Sequence, residues 1–199
     1  MPDDPIVAIA CSVLRLELET LREQGLINFP IRFLDSRLHM DPEELHAQMA
    51  RSIQEERRRG CRVLLIYGDC HAHMVDLAAD RCVVRVGAIN CGEMLLGKQR
   101  YKALLKSGAF LLSPEWTCRW RDVLLRFPGL DSDSAGEMIR EMHSRFVYLN
   151  TLTCPVPHEA LKQCADFFLL PYEIEEVSLD LLLAVIQEAL ARFDSEGKA

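Results

Sequence analysis

Short apolar runs alternate with longer stretches of helical periodicity along almost the whole chain. This alternation restricts the fold more than any other feature. Residues 62–67, Arg-Val-Leu-Leu-Ile-Tyr, are apolar at consecutive positions, as a parallel strand covered on both faces requires. Residues 5–10 and 30–35 read as earlier strands, and 82–86, 109–113 and 146–150 as later ones. Residues 167–170 form a further short apolar piece. Between the strands lie amphipathic segments. Residues 12–24 carry Val13, Leu14, Leu16, Leu18 and Leu21 and stop at Gly25. A second helix starts at Pro42, with Asp41 as N-cap, and ends at Gly60. Others are expected around 71–79, from Asn90, on either side of Pro128-Gly129 (115–126 and 134–144), from Pro157, and over 178–193. Strands joined by helical crossovers run parallel. The expectation is an α/β fold, a three-layer sandwich with a mostly parallel, Rossmann-like sheet. It is read as a single domain over 1–199, with its motifs in about 6–120 and a C-terminal strand and helices in about 121–199.

Composition narrows the function. Lys+Arg 23 against Asp+Glu 30 gives a net charge of −7, which argues against general nucleic-acid binding. No apolar run reaches the ~20 residues that span a bilayer. The first residues, Met-Pro-Asp-Asp-Pro, are acidic where a signal peptide is basic. A soluble cytoplasmic protein is expected, so its 8 cysteines are expected as free thiols.

The cysteines sort by the strand ends they occupy. Cys11 follows strand one, Cys70 follows strand three and Cys91 follows strand four, so all three lie on the carboxyl rim of a parallel sheet. Each also lies at or near a helix start, where exposed N–H groups favour a thiolate. If the strands are neighbours, the thiols converge, and converged thiols suit a metal, a cluster or redox chemistry. His39, just after strand two on the same rim, is the candidate fourth ligand. Its alternative is a hydrogen-bonded loop residue. Cys61 and Cys82 precede their strands, while Cys118 and Cys164 fall within helices. These four read as packing residues. Cys154, after strand six, is left between the rim and a packing role. Cys70 and His73 are three apart, which places them on one face if the segment is helical. His71 and His73 otherwise read as partly exposed residues.

Asp69 reads as an N-cap and Asn90 with Glu93 as a capping box, each set against acid–base work. Cys11-Ser12-Val13-Leu14 stands where a G-x-G-x-x-G would follow strand one, so the dinucleotide fingerprint is absent. Neither a P-loop nor a G-x-S-x-G elbow is present.

Read in order, a set of motifs resembles the DUF1638 family, bacterial and archaeal proteins of unknown function. The set comprises Ala10-Cys11 with Glu17-Leu18; Leu38-His39 with Pro42 and Leu45; Tyr67-Gly68-Asp69-Cys70; Asn90-Cys91 with Leu95-Leu96-Gly97 and Tyr101; and Gly108 with Ser113-Pro114-Glu115-Trp116. It covers about residues 6–120, and Glu173–Leu183 resembles the family's acidic-then-leucine stretch. The resemblance implies that Cys11, His39, Cys70 and Cys91 are motif positions suited to a Cys₃His site for one zinc or iron ion, or a small iron–sulfur cluster. It also implies a setting beside corrinoid-dependent methyl-transfer systems, and hence a partner protein from such a system. His71 departs from the family's small residue, and Ile89-Asn90 from its His-Asp.

The expected function is a metal-binding protein, with Tyr67 and Trp116 placed near the site as pocket walls or as core packing. An open ligand position would support a small-molecule transferase or lyase linked to methyl or one-carbon transfer. The alternatives are a non-enzymatic metal or cofactor carrier and a metal-free thiol enzyme. The broad apolar surface of the last helix, from Leu179 to Phe193, is expected to be buried or shared in a homodimer.

Overall fold

The strands of the computed structural model pair into two separate parallel sheets. Residues 4–78, 80–125 and 131–196 are described. The Pro128-Gly129 turn lies outside them. The chain divides into two compact units, one formed by Met1–Met94 with Leu179–Ala199 and the other by Leu95–Ser178. The α/β class is as the sequence predicts. One sheet was the expectation, and the strands instead fall into two groups, because each apolar run finds its edge partners within its own unit.

In the first unit, strands β1 (Ile6–Cys11), β2 (Ile31–Leu34), β3 (Arg62–Ile66) and β4 (Val83–Arg85) take the order β2-β1-β3-β4, all parallel. Ala8, Ile9 and Ala10 in β1 and Val63 through Ile66 in β3 are all fully buried. Consecutive buried positions mean that both sheet faces are covered. Helix α1 (Arg15–Glu23) follows a 3-10 turn at Ser12–Leu14, and α2 (Pro42–Arg58) packs on β1 and β3. The Asp41 carboxylate accepts the Glu44 N–H at 3.1 Å, as the N-cap reading requires. Helix α3 (Met74–Leu77) is a single turn.

The next helical segment, α4 (Cys91–Lys106), is broken at Gly97, whose φ of 70° and ψ of 159° interrupt it. A positive φ is the conformation that glycine adopts without strain. In the second unit, β5 (Ala109–Leu112), β6 (Arg145–Asn150) and β7 (Tyr172–Glu176) form a parallel sheet in that order. Helices α5 (Pro114–Cys118), α6 (Trp120–Leu124), α7 (Ser132–Met142) and α8 (His158–Phe168) complete it. Its core gathers Leu112, Trp120, Phe146, Tyr148, Leu161 and Phe168.

Two elements differ from expectation. The apolar piece at 167–170 is not a separate element: Phe167 and Phe168 end helix α8, where Phe168 is fully buried. The last strand is Tyr-Glu-Ile-Glu-Glu, an edge strand with exposed glutamates, so its apolar signal is weak.

The chain returns to the first unit as α9 (Asp180–Glu196), packed on β3 and β4. Only Leu182, Ile186, Ala189 and Phe193 of its apolar positions form a buried stripe at helical spacing, and Leu181 is exposed. Arg192 donates to the backbone carbonyl of Arg85, and the Arg62 guanidinium lies 4.9 Å above the Phe193 ring. Among the described residues, no helix is long and apolar enough to cross a membrane.

Candidate functional site

The order β2-β1-β3-β4 makes the carboxyl ends of β1 and β3 a switch point. The chain leaves β1 toward β2 on one side and resumes at β3 on the other. In open α/β sheets, ligands bind in the crevice at such a point. Cys11 ends β1, and Tyr67-Gly68-Asp69-Cys70 leaves β3. Ala10 pairs with Ile66, so Cys11 and Tyr67 are the next residues on two adjacent strands.

Gly68 brings the third thiol in. A Cβ at this position would sit 2.2 Å from the Ile89 carbonyl oxygen and 2.5 Å from the Asn90 Cα. The loop after β3 therefore packs backbone against backbone on the segment leading into α4. The Asp69 N–H donates to the Ile89 carbonyl at 2.8 Å and fastens the two segments together. Asn90 caps α4 by accepting the Glu93 N–H at 2.9 Å, as the sequence predicts, and Cys91 is the first helical residue.

Cys11, Cys70 and Cys91 are close enough that charge on one acts on the others. All three act on the buried Tyr67 phenol. Cys11 is buried, while Cys70 and Cys91 retain some surface. The Cys91 thiol is hydrogen-bonded to that of Cys11, and this contact together with burial raises its pKa well above the usual thiol value. Burial, then Cys11, pushes Cys70 up to about 11; the Gly68 backbone and Arg85 oppose the rise, and Asp69 adds to it. Thiolates favoured by helix N-termini were expected here. Burial and mutual repulsion win over the dipole, and for Cys70 the helix begins only at Met74.

A thiol moved from its ordinary 9.0 to about 11 carries roughly a hundredfold less thiolate at pH 8. Alkylation of Cys70, followed by peptide mass spectrometry, is expected to lag an unhindered thiol by about that factor. The folded pKa exceeds the unfolded one. The associated stability is therefore full below pH 9 and lost as pH rises through 11, which alkaline denaturant titrations of wild type and Cys70→Ser will register.

Tyr67 is 1% exposed, and its hydroxyl has no hydrogen-bond partner of normal geometry. It lies against the Cys11 sulfur, a contact that, after burial and the thiol charges, holds the phenol protonated. Glu17, on α1, is also buried and acts on Cys91. In the sequence Glu17 stands out only as a motif position, although its helical spacing puts it on the inward face of Leu14, Leu18 and Leu21.

The other expected residues separate. His39 is exposed on the 3-10 turn Ser36–Met40 and is not among the groups that dominate the thiols. Trp116 belongs to the second unit, half-buried against that unit's core, with its backbone N–H donating to the Ser113 hydroxyl at 3.2 Å. Asp69 is not an N-cap. It pairs with Arg85 at 2.6 Å, since α3 starts four residues too late for it. Cys70 and His73 do not share a helical face, because residues 70–73 are not helical. His73 instead meets Asp76 at 3.0 Å, and its backbone N–H donates to His71 Nδ1 at 3.1 Å. The His46 ring on α2 stands 5.0 Å from that of His71, and burial, then His46, lowers the His71 pKa. No sequence signal joins His46 to this loop; helix packing does. Among the packing cysteines, Cys61 and Cys164 are buried, whereas Cys118 is exposed, with Cys154 near enough to raise it after burial.

A family model covers residues 33–186 under the description "Protein of unknown function (DUF1638)". The chain belongs to the DUF1638 family. The match includes His39, Tyr67, Cys70, Cys91 and Trp116, while Cys11 precedes it. Neither a curated protein nor a solved structure matches the chain.

Thiols are soft ligands, a donor type that taken alone would suit a soft cation. Among the described residues, no group of three or more His, Cys, Asp or Glu side chains is arranged to hold a metal ion.

Proposed function

We propose that this DUF1638 protein binds one soft metal ion, zinc or iron, through Cys11, Cys70 and Cys91 at the switch point of its first unit. The observation that carries this reading is the gathering of three thiols, none of them in a disulfide, from three separate segments around one buried phenol. Packing alone gives no reason to collect three thiols at a ligand-binding crevice. A bound cation would hold them as thiolates and offset the repulsion between their charges. His39 is left out of the ligand set, so three protein donors leave a position open to a small molecule. Such a site suits a small-molecule transferase or lyase. With that position filled it suits a metal carrier serving a methyl-transfer partner.

Metal content after anaerobic purification and reconstitution with zinc or iron tests this. About one ion per chain is expected in wild type. Cys70→Ser and Cys91→Ser are expected to lose most of it, and Cys118→Ser none. Retention of the ion against a chelator favours an enzyme, and ready release a carrier. A wild type that stays metal-free would sink the proposal. The absence of a metal-ready group among the described residues would then favour a metal-free thiol site.

A further inference from the structure

We propose that His46 and His71 together bind the uncharged oxygen of a small molecule, a carbonyl or amide group, on the carboxyl rim of the first unit. Neither imidazole belongs to the thiol set, and the site needs no metal.

His71 follows Cys70 in the loop after β3, and His46 lies in the second turn of α2, which begins beyond the carboxyl end of β2. Their ring centroids are 5.0 Å apart, with the rings nearly perpendicular at 86°. His71 is 9% exposed, and its Nδ1 accepts the His73 backbone N–H at 3.1 Å. A ring nitrogen that accepts carries no proton, so His71 is neutral with its proton on Nε2. That Nε2–H is buried without a hydrogen-bond partner, and so is Nδ1 of His46. Two unmet polar atoms in one buried cluster are costly, and in a native fold they call for an explanation. Among the described residues no group of histidines and carboxylates is arranged to hold a metal ion, which leaves a hydrogen-bonding ligand. An oxygen atom accepts from His71 Nε2–H and, with His46 in its Nδ1–H form, from the second ring as well.

Charge selects the kind of oxygen. His73 is matched by Asp76 at 3.0 Å and Arg85 by Asp69 at 2.6 Å. The loop's basic groups are thus already balanced, and a carboxylate buried between two neutral rings would lack a counterion. A carbonyl or amide oxygen needs only the donors.

Acetamide and acetate share a shape and differ in charge, which makes them the probes. In metal-free protein with isotope-labelled histidine, NMR is expected to find the His71 proton on Nε2. Acetamide should move that signal downfield to saturation, while acetate at equal concentration leaves it in place. His46→Phe should weaken acetamide binding about fivefold, the loss of one hydrogen bond. A His71 proton on Nδ1 would overturn the inference. So would an Nε2–H signal already shifted upfield in free protein, because the face of the His46 ring would then be its partner. No saturable response to acetamide, an equal response to acetate, or unchanged acetamide affinity in His46→Phe would each overturn it too.

Discussion

Replacing Gly68 with alanine is expected to destabilise the first unit by about 3 kcal/mol and to disable the thiol site with it. The added methyl would meet the Ile89 carbonyl oxygen at 2.2 Å, its carbon at 2.4 Å and the Asn90 Cα at 2.5 Å. All three are backbone atoms, so no side chain can rotate away and a segment must move. The movement breaks the 2.8 Å bond from Asp69 N–H to the Ile89 carbonyl, the tie between the Cys70 and Cys91 segments. Gly87→Ala is the matching control, because its Cβ meets nothing within 4 Å. Denaturant unfolding should place Gly87→Ala within about 0.5 kcal/mol of wild type and Gly68→Ala far below both. Metal uptake should fail in Gly68→Ala alone. Equal stability of the two variants would mean that the loop contact does not assemble the site.

The second large effect is expected for Trp120→Ala, at about 4 kcal/mol of stability. Trp120 is 2% exposed in the core of the second unit. Its ring centroid lies 5.3 Å from Phe167 and 5.7 Å from Phe168, with the Arg121 guanidinium 4.2 Å above it. Truncation removes the largest side chain of that cluster and leaves a cavity that the rigid sheet behind it cannot fill. Trp120→Phe keeps much of the volume and should cost less than half as much. Thermal and denaturant unfolding of the pair measure the difference. A loss below about 1 kcal/mol for Trp120→Ala would show that the cluster is loosely packed.

The elements that the sequence made legible are those whose signal is local. Val63–Ile66 reads as a strand because every consecutive residue is apolar, and Asp41 and Asn90 read as caps because a cap needs only a polar atom and the next turn. Strand β7 was missed because an edge strand rich in glutamate does not alternate clearly. Asp69 was misread because its partner, Arg85, is 16 residues away in sequence. His46 came to light only through the packing of α2 against the loop after β3.

The same division holds for the site. By itself, the sequence determined that Cys11, Cys70 and Cys91 sit at carboxyl ends of parallel strands, since strand direction and chain order are local facts. The tertiary structure decided that β1 and β3 are neighbours in one sheet and that Gly68 lets the next segment close on them. It also left His39 exposed and Trp116 in the other unit. Strand order and backbone contact depend on which apolar faces bury one another across the whole chain, and no spacing within a motif records that choice.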